Sequence, residues 1–196
     1  MLRVLIACEE SGTVRDCFTR LGHYAMSSDL KPSKSPGLHY QGDVFDIISN
    51  DWDLLVAFPP CTYLAKAQMW RYYREPYRAV YRDKALEFVR RLYSSDINHI
   101  AIENPSGYLS SGFRPSNQLV RPWYFGDPYD KEINLWTKNL PPLMSTCYST
   151  GRRKLSNHVN GRMSQDLKSE IKSSWSYFPW MSQALADQYS NFILKS

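Results

Sequence analysis

A single doubly wound α/β domain with a mostly parallel sheet is the fold class predicted for this 196-residue chain, on three observations. Short apolar runs alternate with stretches of helical periodicity through the first half, the pattern of strands joined by crossover helices. The runs are continuously apolar, as strands covered on both faces require. Finally, Cys8, Asp29, Cys61 and Glu103 each fall directly after an apolar run, and open α/β sheets gather their reactive groups at that edge.

The elements follow in order. Residues 2–7 form a buried strand candidate and 13–21 a helix closed by Gly22. A second strand is expected over 24–28, then a Pro/Ser/Lys-rich loop over 31–37 and a short helix or turn over 44–49. Residues 53–57 make a third strand that runs straight into Phe58-Pro59-Pro60-Cys61. Pro76 suits the first turn of a helix, where its missing N–H costs nothing, and Ala79, Leu86, Val89 and Tyr93 continue it at helical spacing. The next strand, 99–102, ends at Glu103-Asn104-Pro105. Beyond it the signals thin to a strand over 133–137, a break at 139–142, a polar basic loop over 151–161 and an amphipathic helix over 180–194. The large aromatics Trp123, Phe125, Trp136, Trp175 and Trp180 are expected to build the core.

Composition narrows the function classes. With 43% hydrophobic and 22% charged residues the chain reads as an ordinary globular protein, neither disordered nor membrane-spanning. The apolar N-terminus gives way to Glu9 and Glu10 after a few residues, so it reads as a strand and not a signal peptide, and a cytoplasmic location is expected. The four cysteines contain no C-x-x-C pair and the four histidines no cluster, so free thiols are expected and no metal site. The net charge of +5 favours polyanionic partners.

That charge is concentrated. Lys66, Arg71, Arg74, Arg78, Arg82, Lys84, Arg90 and Arg91 face only Glu75, Asp83 and Glu87, and are interleaved with Trp70, Tyr72, Tyr73, Tyr77 and Tyr81. Such a segment is either a solvated helix face or a nucleic-acid surface of cations and stacking rings; its place just after Cys61 favours the second. Arg152 and Arg153 are further candidate phosphate contacts.

Two prolines fix the backbone ahead of Cys61, which presents its thiol in one direction. A free cysteine is more often a small core residue, and Glu103 at a strand end could be a loop anchor. A thiol and a carboxyl together make acid-assisted covalent catalysis feasible. Pro59-Pro60-Cys61 and Glu103-Asn104-Pro105, each after an apolar strand and in this order, resemble the catalytic cysteine and glutamate motifs of DNA cytosine carbon-5 methyltransferases, and the short chain is most similar to solitary phage-type members.

The resemblance implies a Rossmann-like class I methyltransferase domain over residues 1–196, with S-adenosylmethionine as cofactor and DNA as partner. It gives Cys61 the role of nucleophile toward carbon 6 of cytosine and Glu103, protonated, that of holding ring nitrogen 3, so a closed pocket is expected to keep Glu103 neutral. The base must be flipped or already unpaired. The cofactor loop falls on Cys8, Glu9, Ser11 and Gly12; Asp29 matches the acid for the ribose hydroxyls, Asp43 the one for the adenine amino group, and Pro59 is a further cofactor-binding position. Arg121, in Gln118-Leu119-Val120-Arg121, stands where the family has an arginine that supports the base.

Residues 142–165 leave room only for a short substrate-facing insertion, so sequence specificity is expected to be low or supplied by a separate partner. Two alternatives stay open: the same fold acting on a free pyrimidine nucleotide or a single strand, with a modified donor, and a non-catalytic module binding DNA or protein. An amino-methylating enzyme is disfavoured, because Phe58 precedes the prolines and Cys61 follows them.

Overall fold

The computed structural model describes residues 1–66, 69–150, 153–154 and 178–196. Its centre is a seven-stranded sheet built from β1 (Arg3–Ala7), β2 (Tyr24–Asp29), β3 (His39–Gln41), β4 (Leu54–Ala57), β5 (His99–Asn104), β6 (Gln118–Val120) and β8 (Ile133–Lys138), in the order β3-β2-β1-β4-β5-β8-β6. The first five strands in that order run parallel, and β8 is antiparallel to both β5 and β6. β7 (Tyr129–Asp130) and β9 (Arg153–Lys154) pair in parallel outside this sheet. Helices α1 (Thr13–Arg20), α2 (Arg71–Arg74), α3 (Arg78–Tyr93), α4 (Leu109–Gly112) and α5 (Pro179–Ile193) complete the fold.

Both faces of the sheet are covered, which is why its strands read as continuous apolar runs. Val4 and Ile6 of β1, with Leu54 and Val56 of β4, pack in one cluster with Val14, Phe18 and, from α5, Met181 and Leu185. Leu5, Ala7, Leu55 and Ala57 point the other way, into a cluster with Leu86, Val89 and Leu92 of α3. The α/β fold expected from the sequence is the fold found, and no helix of the described residues is long and apolar enough to cross a membrane.

Several boundaries differ for physical reasons. β3 lies beyond the expected loop, because Ser27, Ser28 and Asp29 offer a free parallel edge. β5 is longer than expected and takes in Glu103 and Asn104, since β8 pairs antiparallel with it at Glu103↔Leu135 and Asn104↔Asn134. Pro76 lies two residues ahead of α3 rather than within its first turn, although its carbonyl accepts from Ala79 N at 3.0 Å. Trp136 is fully buried, but Trp180, expected in the core, is 64% exposed, and Trp175 lies outside the described residues. Within the expected basic loop, residues 153–154 form β9.

Candidate active site

The strand order turns between β1 and β4, and a cavity of about 330 Å³ lies at the carboxyl ends of the strands there. Ligands of doubly wound sheets bind at such a switch point. Four of the residues singled out in the sequence line it: Cys8 after β1, Asp29 at the end of β2, Asp43 after β3 and Pro59 after β4, joined by Tyr63 and by Phe88 of α3. One oxygen of Asp29 accepts from Lys31 N and one of Asp43 from Phe45 N, both at 3.0 Å, so each carboxylate also shapes its own turn.

Cys8 turns the chain away from β1 with φ 59, a left-handed conformation that costs a non-glycine residue roughly 1 kcal/mol. Burial pushes its thiol up to about 12, with the Asp29 and Asp43 carboxylates adding to the shift. It therefore stays a neutral wall of the cavity.

The rest of the first loop serves the helix instead. Glu9 is buried and accepts from Val14 N at 2.7 Å and Arg15 N at 3.2 Å, capping α1. Burial raises its pKa against those hydrogen bonds. Ser11 donates to the same carboxylate and accepts from Thr13 N. Gly12 packs against Arg15 and Ser35. Glu9, Ser11 and Gly12, assigned to the cofactor by position, thus organise the start of α1 and do not line the cavity. Arg15, fully buried, ties this turn to the following loop through Ser27, Ser33, Ser35 and the Pro36 carbonyl.

Neighbouring parallel strands, β4 and β5, paired up to Ala57↔Ile102, carry Cys61 and Glu103 to the same edge of the sheet. The segments that follow are zipped together. Asn104, fully buried, donates from Nδ2 to the Pro59 carbonyl at 2.8 Å; Lys66 N donates to Ser106 O at 2.9 Å and Tyr108 N to Leu64 O at 2.7 Å. The Cys61 carbonyl accepts from Leu64 N and Ala65 N, which winds the chain into a tight turn behind the thiol. Gly107 makes this approach feasible, because a Cβ there would meet the Leu64 carbonyl oxygen at 2.0 Å.

The Cys61 side chain reaches solvent while Glu103 is buried. The surrounding protein raises the Cys61 pKa first, the Glu103 carboxylate raises it further, and Lys131 opposes both. Carboxylate and ammonium thus act on the thiol in opposite senses. Asn104, Gly107 and Lys131 were given no catalytic part by sequence reasoning; Asn104-Pro105-Ser106-Gly107 sits in the glutamate motif itself, whereas nothing local to Lys131 points to Cys61.

Arg121 is placed differently from the supporting arginine that the motif suggested. It ion-pairs with Asp130 through one terminal nitrogen and with Glu132 at 2.6 Å through the other, so two carboxylates hold its guanidinium. Of the proposed phosphate contacts, Lys66 and Arg74 are exposed and Arg71 is half-buried against Glu75 at 3.1 Å. Arg78 is not a surface cation: it is 5% exposed, pairs with Glu75 at 3.1 Å and lies over the Tyr63 ring. Arg152 lies outside the described residues, and Arg153 is placed only as part of β9. Among the described residues no group of His, Cys, Asp and Glu is arranged to hold a metal ion.

No protein-family model matches the chain, and no curated protein matches it in sequence. Solved structures do resemble it. A methyltransferase from Entamoeba histolytica aligns with a TM-score of 0.50 at 15% identity, over 87% of this chain and 65% of that one. A protein described as a DNA modification methyltransferase encoded within an E. coli prophage aligns with a TM-score of 0.47 at 16% identity, over 76% of this chain and 52% of that one. The chain thus spans between half and two thirds of the length of these structures, and the likeness concerns the fold.

Proposed function

We propose that the protein is an S-adenosylmethionine-dependent methyltransferase acting on carbon 5 of cytosine in DNA, with Cys61 as nucleophile and Glu103 as its acid partner. The observation that carries this reading is the locked pairing of the Cys61 and Glu103 segments beside a cavity at the sheet's switch point.

The cavity residues suit the cofactor. Its volume falls within the roughly 300–1,000 Å³ of small-molecule sites. Asp29 and Asp43 offer acceptors for hydroxyl and amino groups, while Phe88 and Pro60 supply apolar walls for a planar ring. Bound there, S-adenosylmethionine supplies an electrophilic methyl group.

The chain's own residues prepare the acceptor. The Cys61 thiolate forms a bond to carbon 6 of the pyrimidine, and the electrons of the 5,6 double bond shift toward carbon 5 and the ring nitrogen that Glu103 holds. Carbon 5 becomes the electron-rich methyl acceptor. Loss of its proton then restores the double bond and expels Cys61. A protonated Glu103 serves twice, because the ionised carboxylate is one of the groups that raise the Cys61 pKa. With Glu103 neutral that repulsion is gone, while burial still holds the Cys61 pKa up. Lys131 acts in the opposite sense and favours the thiolate.

Incubation with methyl-labelled donor and DNA, followed by digestion to nucleosides, tests the reading. Label is expected in 5-methylcytosine and absent with Cys61→Ser. Label on an exocyclic nitrogen, or undiminished transfer by Cys61→Ser, would overturn it.

A further inference from the structure

Four large rings after the Cys61 turn remain open to solvent: Trp70 is 56% exposed, Tyr73 92%, Tyr77 62% and Tyr81 46%. Exposed rings gathered in one stretch mark an interaction surface. Two of them, Tyr81 and Tyr77, continue a row that starts inside the site, and Trp70 and Tyr73 lie in the segment that leads to it. Tyr63, on the cavity wall, stacks on Tyr81 with centroids 5.3 Å apart and planes at 19°, and Tyr81 meets Tyr77 edge-on at 6.3 Å. Tyr77 and Tyr81 are one helical turn apart and share a face at the start of α3. Tyr72 anchors the same stretch by donating to the Tyr63 carbonyl.

Cations accompany the rings. The Arg74 guanidinium lies 5.5 Å from the Trp70 centroid and the Lys84 ammonium 5.9 Å from that of Tyr81. Among the described residues no carboxylate is within ion-pair distance of Lys66, Arg74 or Lys84. Beneath the row, the buried Arg78 guanidinium sits 4.7 Å from the Tyr63 centroid, with Nε and Nη2 lacking any hydrogen-bond partner. A polyanion satisfies the surface cations Lys66, Arg74 and Lys84, which an apolar protein partner would leave unpaired.

We infer that this row seats an unpaired DNA strand, so that the substrate of the proposed reaction is single-stranded: bases next to the target stack on Tyr81, Tyr77, Tyr73 and Trp70, and backbone phosphates meet Lys66, Arg74 and Lys84. Bases within a duplex already stack on each other and cannot present a face to these rings, whereas unpaired ones can. A mononucleotide is too short to reach past Tyr63. The inference rests on the reading of Cys61 and Glu103 as a site for a nucleic-acid base.

Fluorescence anisotropy with a short labelled, cytosine-containing single strand, and with the same sequence as a duplex, tests it on the full chain without methyl donor. The single strand is expected to bind about tenfold more tightly, and Trp70→Ala and Tyr73→Ala each to weaken it by about tenfold. Both side chains are exposed, so circular dichroism should show the fold intact. Equal or tighter binding of duplex, or unchanged single-strand affinity in both variants, overturns the inference. Ring-dependent strand binding without methyl transfer would sink the proposed reaction alone. Efficient transfer to duplex, indifferent to both ring variants, would sink the inference alone.

Discussion

Replacing Gly107 by alanine should both destabilise the protein and uncouple its two candidate catalytic segments. The added Cβ would stand 2.0 Å from the Leu64 carbonyl oxygen, 2.8 Å from Lys66 N and 2.9 Å from Ala65 Cα, whereas real Cβ atoms essentially never come within 3.0 Å of a neighbour. The obstructing atoms are backbone, so no side-chain rotation relieves the clash. The segments have to part by about 1 Å. That separation strains the hydrogen bonds from Lys66 N to Ser106 O and from Tyr108 N to Leu64 O. At about 1 kcal/mol net for each bond, the loss should be roughly 2 kcal/mol, read as a lower urea midpoint with unchanged slope. Displacing Cys61 from Glu103 by that distance should slow methyl transfer by up to ~100-fold. A Gly107→Ala protein with the wild-type midpoint and rate would refute the claim that close packing of these segments positions the pair.

Other perturbations probe separate parts of the structure. Asn104→Ala leaves the Pro59 carbonyl without its buried donor and should cost about 1–3 kcal/mol in urea unfolding; an unchanged midpoint would remove Asn104 as the tie between the two motifs. Arg15→Met strips a buried guanidinium from Asp16, three serines and the Pro36 carbonyl, and should destabilise by about 3–5 kcal/mol while lowering cofactor affinity through the loop after Asp29. Asp127 caps α5 at Trp180 N and Met181 N, and burial raises its pKa from 3.8 to about 6. The folded state therefore holds this proton more tightly than the unfolded chain, so the group's contribution is most favourable at low pH and falls, by on the order of 2 kcal/mol, as pH rises from about 4 to about 6. The stability difference between wild type and Asp127→Asn should trace that fall, and a flat difference would contradict it.

The strands, and with them the edge on which Cys8, Asp29, Cys61 and Glu103 gather, were legible because burial on both faces leaves unbroken apolar runs. β3 and β6 were not: each has only three residues, too few to show a period, and exists because a neighbouring strand offers an edge. Glu103 reads in sequence as the residue after a strand, but the distant pairing of β5 with β8 draws it inside the strand and buries it. The tie from Asn104 to Pro59 spans 45 residues, and no local pattern encodes it. Glu9 and Arg78 show the opposite limit. Their residue types suited a cofactor loop and a phosphate surface, yet the start of α1 captures the first, and Glu75 with Tyr63 buries the second. Charge type alone does not reveal whether a side chain turns toward solvent, a ligand or its own backbone.

Attack of Cys61 on a pyrimidine carbon forms a bond that a mechanism-based trap reads directly. Cytosine carrying fluorine at carbon 5 cannot lose a proton from that carbon after methylation, so the cysteine should remain attached to the DNA. With S-adenosylmethionine present, a denaturation-resistant complex between the protein and a single strand containing 5-fluorocytosine is expected, with Cys61 as the linked residue by peptide mass spectrometry and no complex with Cys61→Ser. Folded protein that binds both cofactor and strand yet forms no such complex, or a link at another residue, would contradict it.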